Sequence, residues 1–519
     1  MNPQPATSSR AASLAAASNP DEAIVDLLVV GGGINGTGIA RDAAGRGLRV
    51  VLCEKDDLAQ GTSSRSSGLI HGGLRYLEYG EFGLVRESLR ERELLLGIAP
   101  HLVRPQTFVL PHVAGMRPAW LLRLGLFVYD HLGGASRLDP SRALRLRDCA
   151  EGAPLQPACT RGFRYTDCRT DDARLVLHNA LGAAARGATI LIGTELLAAQ
   201  PRAGAWDAVL RGRDGQSRRL RARVLVNAAG PWVGALAQHL PVAQRGRALR
   251  LVKGSHIVVP RFWDGEQAYL LQNPDRRVIF VTPYEDCYAM IGTTDVPYVG
   301  APEAVAISAE ESAYLCAAVN RHMRCTLSPA DVRYAYAGVR ALVDDAQADP
   351  AAVTRDYLLE LSSPPDHAPL LTVLGGKITT FRRLAEQALE KLRSHVPAMG
   401  PAWTATAPLP GGDIGDGGLP EARARLAEAA PFLPGTHADG LFARHGTRAL
   451  AVLGAARRLE DLGQHFGAGF YEAEARHFRA HEWAVTAEDM LWRRSKFGLR
   501  LAPAEQERFR DWLAASGVS

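Results

Sequence analysis

The sequence has 519 residues, of which 47% are hydrophobic and 22% charged, and its formal net charge is +5. This length predicts roughly two to four folding units. The small cationic excess argues against a nucleic-acid-binding protein but is compatible with anionic metabolites or an anionic membrane surface. The seven cysteines form no C-x-x-C pair, so we expect a reducing compartment, no disulfide framework and no metal site.

The N-terminal residues 1–20 are rich in Ala and Ser, with one Arg and no apolar core. They differ from a secretory signal, and we predict a disordered tail. A weak organellar transit peptide is the alternative, although one basic residue is few for such a peptide. No uninterrupted apolar run approaches the ~20 residues that span a bilayer, so we expect no membrane crossing.

A glycine fingerprint follows the first predicted strand, Ile24–Val30, which is almost wholly apolar, as in a parallel sheet buried on both faces. The fingerprint G-x-G-x-x-G consists of Gly31, Gly33 and Gly36. Such glycines allow a tight turn, close approach to a pyrophosphate and close packing of the next helix, here predicted from Ile34.

The second predicted strand is Arg49–Cys53, and Glu54 stands at its end. An acid at this place accepts hydrogen bonds from the ribose hydroxyls and disfavours a 2′-phosphorylated cofactor. The βαβ unit predicts dinucleotide binding without distinguishing NAD from FAD.

Three further segments favour a flavin. Gln60–Tyr76 (QGTSSRSSGLIHGGLRY) is a loop of hydroxyls and glycines, unlike the strand and helix that would continue a nicotinamide dehydrogenase. Arg223–Trp232 predicts a strand that runs into a turn of small residues, and Gly375-Gly376-Lys377 precedes a predicted helix. For Arg223–Trp232, an ordinary strand and loop is the alternative.

A set of motifs occurs in one order along the chain. They are GGGINGTGIARDAAGRG from Gly31, SSGLIHGGLRYLEYGEF from Ser66, RGFRYTDCRTDDARLVL from Arg161, LVKGSHIVVPRF from Leu251, IGTTDV from Ile291, YAGVR from Tyr336, TRDYLLE from Thr354, GGKITTFRRLAE from Gly375 and LWRRSKFGL from Leu491. With them the chain resembles the bacterial FAD-dependent glycerol-3-phosphate dehydrogenases, which share the fold of the D-amino-acid oxidase group. Two departures are Gly68, where the family has Lys, and Ala341, where Pro is usual.

The resemblance implies an α/β + α fold class with three parts. We expect a discontinuous FAD-binding domain of Rossmann type at 21–100, 165–245 and 335–400, and a substrate domain with an antiparallel sheet at 101–164 and 246–334. The Pro/Gly-rich stretch at 401–418 predicts a linker. Residues 419–519 are expected to form a helical domain that contributes to assembly rather than chemistry.

The activity implied by the resemblance is oxidation of sn-glycerol 3-phosphate to dihydroxyacetone phosphate, with hydride transfer from C2 to flavin N5 and electrons passed to a membrane quinone. The implied location is the cytoplasmic face of the bacterial inner membrane, peripheral or monotopic, and a homodimer is left open. The rivals are an oxidase that reduces oxygen, an amine or 2-hydroxy-acid oxidase, and a flavin-stabilised membrane or regulatory protein without turnover.

A phosphate dianion needs several cations or N–H donors at one place. The predicted substrate-binding residues are Arg75, Tyr76, His256, Arg340 and Lys377. His256 is the natural base by its ordinary pKa, while Arg340 is the alternative group to handle the hydroxyl and its developing charge. His256 and Arg340 are therefore the predicted catalytic residues, with their roles left open.

The predicted cofactor contacts come from the fingerprint, the hydroxyl-rich loop and the two later turns. They are Gly31, Gly33, Ile34, Asn35, Gly36, Glu54, Thr62, Ser63, Ser64, Ser67, His71, Gly72, Gly73, Leu74, Ala229, Gly230, Gly376, Lys377, Ile378 and Thr379.

Two apolar segments each allow two interpretations. Phe381 to Arg393 is a basic amphipathic helix, which either packs on the flavin sheet or lies in a membrane interface. Trp120–Leu132 (WLLRLGLFVYDHL) has the same ambiguity.

Overall fold

The structure, a computed structural model, describes residues 24–113, 116–241, 249–275, 277–343, 356–364 and 367–516. The predicted disordered tail, 1–20, lies outside these ranges. Among the residues within them, no helix combines the length and the apolar character that a bilayer span requires.

Strands and helices alternate in the first two thirds of the chain. The strands are β1 (Val25–Val30), β2 (Val50–Glu54), β3 (Leu69–Ile70), β4 (Arg104–His112), β5 (Arg142–Arg145), β6 (Arg161–Arg169), β7 (Thr189–Ile192), β8 (Thr194–Arg202), β9 (Ala205–Gly212), β10 (Ser217–Asn227), β11 (Leu249–Pro260), β12 (Ala268–Gln272), β13 (Val278–Tyr284), β14 (Tyr288–Gly292), β15 (Val296–Pro297), β16 (Tyr334–Val343), β17 (Tyr357–Ser362), β18 (Leu370–Gly375), β19 (His465–Gly467) and β20 (Phe470–Tyr471).

Helices dominate the C-terminal part. The α-helices are α1 (Ile34–Gly45), α2 (Phe82–Ile98), α3 (Ala119–Leu132), α4 (Asp172–Ala184), α5 (Val233–Gln238), α6 (Ala309–His322), α7 (Phe381–Leu392), α8 (Gly418–Ala429), α9 (Gly435–His445), α10 (Ala449–Leu453), α11 (Glu472–His481), α12 (Phe497–Arg500) and α13 (Pro503–Ala515). A π-helical turn covers Asp489–Arg494.

The first sheet has the order β17-β18-β10-β1-β2-β7, with β9 attached to β10 and β8 to β9. The strands from β18 to β7 run parallel, so their carboxyl ends meet at one edge. The apolar run of β1 pairs Val30 with both Cys53 and Asn227. Ligands of open α/β sheets bind at this carboxyl edge. Both predicted strands of the βαβ unit are confirmed, each shifted by one residue at its start.

The second sheet has the order β15-β11-β14-β13-β12-β4-β6-β3, with β16 on β11 and β5 on β6. Its pairs are antiparallel except β12 with β4, which run parallel. An apolar core beneath α6 includes Ile257, Tyr269 and Leu315. The α/β + α fold class with an antiparallel-type second sheet is confirmed, and a short hairpin of β19 and β20 adds to the helical C-terminal part.

The predicted domain boundaries do not coincide everywhere with the sheets. Strand β16 begins at the boundary predicted for residue 335, yet it pairs with β11 of the second sheet along its whole length. The sheet to which a strand belongs is determined by the strand with which it pairs. The amino-acid composition of a strand does not show which strand that is. We keep the division into domains as a proposal.

The predicted linker, 401–418, packs against the first sheet's helices. Arg41 donates from Nη2 to the carbonyl oxygens of Ala407 and Pro408, at 2.9 and 3.2 Å. The Leu409 amide donates to Ile98, and the Leu409 side chain is fully buried. These contacts fix the start of the C-terminal part against the rest of the chain.

The structure distinguishes the two amphipathic helices. The apolar side of α7, including Phe381, Leu384 and Leu389, is buried in the main core. Helix α3 instead exposes Trp120 and Phe127, whose exposed fractions are 69% and 51%. Helix α7 therefore packs on the sheet, and only α3 keeps an exposed apolar face.

A buried network of charges joins the C-terminal helices to α4. The Arg174 guanidinium donates to both carboxylate oxygens of Glu482, and Arg444 donates to Glu474 at 2.7 and 2.9 Å. His445 lies between these pairs, where its Nε2 donates to Glu474 at 2.9 Å and its Nδ1 lies 3.5 Å from Glu482. The ligand atoms of His445, His477 and Glu482 lie within 4.8 Å of one another, a metal-like spacing. The guanidinium of Arg174 already supplies the positive charge that Glu482 needs, so we assign the network to docking.

Acid is expected to weaken this docking. Burial, with the Arg174 charge second, lowers the pKa of His101 to about 3 and that of His178 well below its usual range. Burial also lowers the pKa of His477 to about 3. Between pH 6.5 and pH 3 the unfolded chain therefore binds protons that the folded chain does not, and stability falls as pH falls. Asp172, whose pKa burial raises to about 6, acts in the opposite sense.

We expect the unfolding midpoint to fall by about 5 °C or more between pH 7 and pH 5, because the buried neutral histidines, His256 among them, outweigh Asp172 and the other carboxyls whose pKa burial raises. Thermal unfolding followed by circular dichroism measures this. A midpoint that stays constant or rises over that range would contradict the account.

Candidate active site

A cavity of about 1600 Å³ opens at the carboxyl edge of the first sheet and extends to the second sheet. Ligand pockets usually hold about 300–1,000 Å³. The space therefore suits an extended cofactor together with a small substrate. Residues from both sheets and from helix α3 line it.

The glycine fingerprint forms a cradle at one end. Gly31 has a φ of +115°, and a Cβ there would lie 2.5 Å from the carbonyl oxygen of Ala228. A Cβ at Gly36 would overlap the carbonyl oxygen of Gly31. Only glycine fits at either position. Because neither residue has a Cβ, the N-terminus of α1 lies close to the space where a pyrophosphate would lie.

Glu54 lines the same end of the cavity. Its carboxylate accepts from the amides of Gly32, at 2.7 Å, and Asp56, at 2.9 Å. Burial raises the pKa of Glu54, and these two amides oppose the rise. A carboxylate has about four acceptor sites, so two remain for the hydroxyls of a ribose.

The hydroxyl-rich loop and Asn35 complete the cradle. Ser63 Oγ accepts from the Ile34 amide at 3.0 Å, and Thr62 donates to Val339 O at 2.5 Å. Asn35 donates to Gly375 O, whereas its Oδ1 is buried and has no hydrogen-bond partner among the described residues. A buried acceptor beside the glycine turns fits a cofactor that carries hydrogen-bond donors. Together, the polar groups of the cradle fit FAD.

Most of the predicted cofactor residues line this one cavity. Those lining it are Gly31, Gly33, Ile34, Asn35, Glu54, Thr62, Ser63, Ser67, His71, Gly73, Leu74, Ala229, Gly230, Gly376, Lys377, Ile378 and Thr379. Gly36, Ser64 and Gly72 are absent from the lining. Gly36 acts instead by letting α1 approach the first turn, and Gly72 by leaving space for Leu89 and Tyr129.

The cations predicted to bind the substrate line the same cavity. Arg75, Arg340 and Lys377 all line it, as does Tyr76, whose ring lies 4.9 Å from the Lys377 ammonium. The Arg340 guanidinium forms a close ion pair with Asp295. These four charged side chains leave two net positive charges facing the cavity.

Neighbouring strands position Arg340. It also donates to Thr293 Oγ1 at 3.2 Å. Gly254, on β11 beside β16, leaves the space that the guanidinium occupies, since a Cβ there would lie 2.7 Å from Nη2. The Asp295 pair and the Gly254 gap together fix the guanidinium at the cavity wall.

His256 lies one layer behind the cavity wall. The residue is only 1% exposed, and its Nε2 is 2.8 Å from Oγ of Ser67, which does line the cavity. Burial, followed by the Arg340 charge, lowers the pKa of His256 to about 3. The imidazole is therefore neutral at pH 7, and the Ser67 hydroxyl connects its Nε2 to the cavity.

Sequence reasoning missed two features of the site. Asp295 lies in the IGTTDV motif, whose sequence does not show its ion pair to Arg340. Helix α3 was flagged as apolar, but nothing in the sequence placed Leu121, Leu122 and Val128 in the cavity wall. Both features depend on contacts between segments far apart in the chain.

Comparison with known proteins agrees with this geometry. Residues 26–382 match the family described as FAD dependent oxidoreductase, and residues 402–510 match the C-terminal domain of alpha-glycerophosphate oxidase. The chain is 53% identical to a D-erythritol 1-phosphate dehydrogenase of Brucella abortus over 94% of this chain and 97% of that protein. It is 50% identical to a glycerol-3-phosphate dehydrogenase of Pseudomonas aeruginosa over 96% of each.

A solved structure extends the similarity to three dimensions. The glycerol-3-phosphate dehydrogenase from Bacillus halodurans, complexed with FAD, superposes with a TM-score of 0.75 and 26% identity, covering 98% of this chain and 96% of that one. The glycine cradle, the ribose acid and the buried acceptor of Asn35 are what that cofactor requires. The chain therefore belongs to the FAD-dependent oxidoreductase family, among the glycerol-3-phosphate dehydrogenases, and its cofactor is FAD.

Proposed function

We propose that the chain oxidises sn-glycerol 3-phosphate to dihydroxyacetone phosphate and passes the electrons to a membrane quinone. Bound FAD supplies the hydride acceptor, at N5. The observation that carries the proposal is the set of cations that line the cavity. Arg75, Arg340 and Lys377, offset by Asp295, leave two positive charges in the cavity that also contains the cofactor cradle, and these match a phosphate dianion.

Arg75, Lys377 and Tyr76 are proposed to bind the phosphate. All three line the cavity. The contact between Lys377 and the Tyr76 ring holds the ammonium beside the phenol, which can donate to a phosphate oxygen. The carboxylate of Asp295 keeps Arg340 at the wall, where its guanidinium orients the C2 hydroxyl and stabilises the charge that develops on its oxygen.

His256 is proposed to take the proton through Ser67. The C2 hydroxyl would pass its proton to the Ser67 hydroxyl, which passes its own to Nε2 of the neutral imidazole. The low pKa keeps His256 neutral, and the negative charge of a bound phosphate would raise that pKa toward the range of an effective base. This assignment divides the two catalytic roles: His256 handles the proton and Arg340 the charge.

D-erythritol 1-phosphate is the second candidate substrate, because the relative of that name is 53% identical over nearly its whole length. Both compounds carry a terminal phosphate, so the same cations serve either one. The test is kcat/KM for each with an artificial electron acceptor, with the ketone product identified by mass spectrometry. A higher value for glycerol 3-phosphate supports the first proposal, and a higher value for D-erythritol 1-phosphate replaces it with the second.

The exposed face of α3 is proposed to dock on an anionic membrane, at the cytoplasmic face of the inner membrane. Trp120, Leu124 and Phe127 are exposed at helical spacing, and the adjacent Phe82 is also half exposed. Arg123 lies exposed on the same helix, where its guanidinium can reach lipid phosphates.

The cavity reaches this surface. Leu121, Leu122 and Val128 of α3 line it, so an apolar wall leads from the proposed membrane face toward the cofactor cradle. We propose this wall as the route by which quinone approaches the reduced flavin. Reoxidation by a water-soluble quinone much faster than by air-saturated buffer supports a dehydrogenase, and the reverse supports an oxidase.

Replacing Trp120, Leu124 and Phe127 together with serine is expected to weaken binding to phosphatidylglycerol vesicles by about 10-fold or more, because that apolar area no longer enters the interface. Vesicle co-sedimentation measures this. Bound FAD and its anaerobic reduction should be unchanged.

The matched control replaces Val299 and Leu450, which are also exposed apolar side chains, with serine. These positions lie outside α3, and vesicle binding should stay at the parent level. Equal binding by the triple variant and the parent would show that α3 is not the docking face.

A further inference from the structure

The LWRRSKFGL segment of the C-terminal part docks directly on the first sheet. Both terminal nitrogens of Arg494 donate to the Asp57 carboxylate, at 2.5 and 2.7 Å. Arg493 donates to the same carboxylate from Nε at 2.6 Å. Asp57 and Arg494 are almost fully buried. The backbone of the π-helical turn is thereby fixed close to the end of β2.

A series of ring contacts connects this segment to the second sheet. The Trp492 indole stacks on Tyr334, with centroids 4.1 Å apart and planes at 17°. Tyr334 contacts Tyr336 at 5.9 Å, and Tyr336 stacks on His256 at 4.9 Å and 13°. An uninterrupted series of rings therefore leads from the C-terminal part to the imidazole.

The imidazole depends on this stack for its orientation. Nδ1 of His256 is buried and makes no hydrogen bond within the described residues. The partner that usually orients a catalytic histidine through that nitrogen is therefore missing from this part of the chain. Strand register places Tyr336 on one side of His256 and Gly292 on the other. A Cβ at Gly292 would overlap the imidazole, so the ring is held between a phenol and a backbone.

Tyr336 also holds the partner of His256. Its hydroxyl donates to the carbonyl oxygen of Ser66 at 2.9 Å. Ser67, the next residue, carries the hydroxyl that contacts His256 Nε2. Moving Tyr336 would therefore shift both members of the Ser67–His256 pair.

Trp492, at the outer end of the ring series, is fixed in the same way as His256 at the inner end. A Cβ at Gly498 would overlap the Trp492 indole, so that ring lies between Tyr334 and a backbone. Neither Trp492, Tyr334 nor Tyr336 lines the cavity. An effect of these residues on the reaction must therefore pass through His256 and Ser67 rather than through contact with substrate.

We propose that Trp492 is a positioning residue for His256, which it holds toward Ser67 through Tyr334 and Tyr336. The proposal rests on the proposed function, in which His256 accepts the substrate's proton. It assigns the C-terminal part a role in the chemistry in addition to assembly.

The test uses full-length, FAD-loaded protein and follows anaerobic flavin reduction by rapid mixing with the polyol phosphate that reduces the parent. In Trp492→Ala the limiting rate per bound flavin should fall about 10-fold or more, because small displacements of a catalytic group have large effects on rate. The half-saturating substrate concentration should stay within about 2-fold, since the phosphate site is untouched. Trp492→Phe should restore most of the rate, because a phenyl ring still stacks on Tyr334.

Trp512→Ala is the matched control. Trp512 packs on the same C-terminal apolar cluster as Trp492 but contacts Phe466 and Phe509 instead of Tyr334. This variant should lose thermal stability while its reduction rate per flavin stays at the parent value. If Trp492→Ala fails to fold, Tyr334→Leu interrupts the same stack from β16 and should give the same loss of rate.

A parent rate in Trp492→Ala, or in Tyr334→Leu, would overturn the proposal, as would an equal loss of rate in Trp512→Ala. Those results leave the proposed function intact, provided that the parent is reduced. If no polyol phosphate reduces the parent flavin, the proposed function is wrong, and the role of the stack is overturned with it.

Discussion

Arg340→Ala is expected to slow substrate-dependent flavin reduction by about 1,000-fold, since removal of one group that stabilises developing charge commonly has an effect of this size. The guanidinium is held at the cavity wall by Asp295 and Thr293. Its loss also leaves the Asp295 carboxylate facing the substrate's phosphate, which opposes binding. Rapid-mixing absorbance at the flavin band measures both the rate and the affinity.

Two further variants sharpen this result. Arg340→Lys keeps the charge but loses the fork of donors, so it should recover only part of the rate. Arg261→Ala removes an arginine of the same sheet that lies outside the cavity lining, and its rate should equal that of the parent. If Arg340→Ala reduced its flavin within a few-fold of the parent rate, Arg340 would have no part in the reaction.

Gly36→Val is expected to yield a protein with about a tenth or less of the parent's FAD, because its side chain would enter the backbone of the fingerprint turn. A Cβ at this position overlaps the carbonyl oxygen of Gly31. Helix α1 must then move away from the turn, and its N-terminus no longer faces the pyrophosphate. The ratio of flavin to protein absorbance after purification measures the occupancy.

Gly234→Ala serves as the control, because a Cβ at Gly234 meets no atom within 4 Å. It should retain the parent's FAD. A Gly36→Val protein that also purified with full FAD would show that the fingerprint turn is not the cofactor cradle.

The local parts of this architecture follow from the sequence. Gly31, Gly33 and Glu54 lie within one βαβ unit, where spacing alone determines which groups meet. Lys377 likewise follows the Gly375-Gly376 turn, and it lines the cavity. Groups of this kind can be placed from the sequence because they are neighbours in the chain.

The parts that depend on distant contacts were beyond the sequence. His256 reads as a group facing the substrate, yet its position is set by Tyr336 and Gly292 on the two adjacent strands. These neighbours place the imidazole behind Ser67. Only the sheet register shows that a hydroxyl lies between the proposed base and the cavity.

Helices α3 and α7 make the same point. Both have apolar residues at helical spacing and basic residues between them. In α7, Arg382 is buried in ion pairs with Glu91 and Glu386, so even part of its polar side is enclosed. The two helices differ because of the segments that pack against them, and these segments lie elsewhere in the sequence. The periodicity of each helix does not identify those segments.

The central claim is that the cations lining the cavity present a polyol phosphate to the bound flavin. Anaerobic titration of the FAD-loaded protein with sn-glycerol 3-phosphate, followed by flavin absorbance, tests it most directly, with glycerol and lactate as controls. We predict that the flavin is bleached by glycerol 3-phosphate and by neither control. Bleaching by lactate or by glycerol, with no response to glycerol 3-phosphate, would contradict the account.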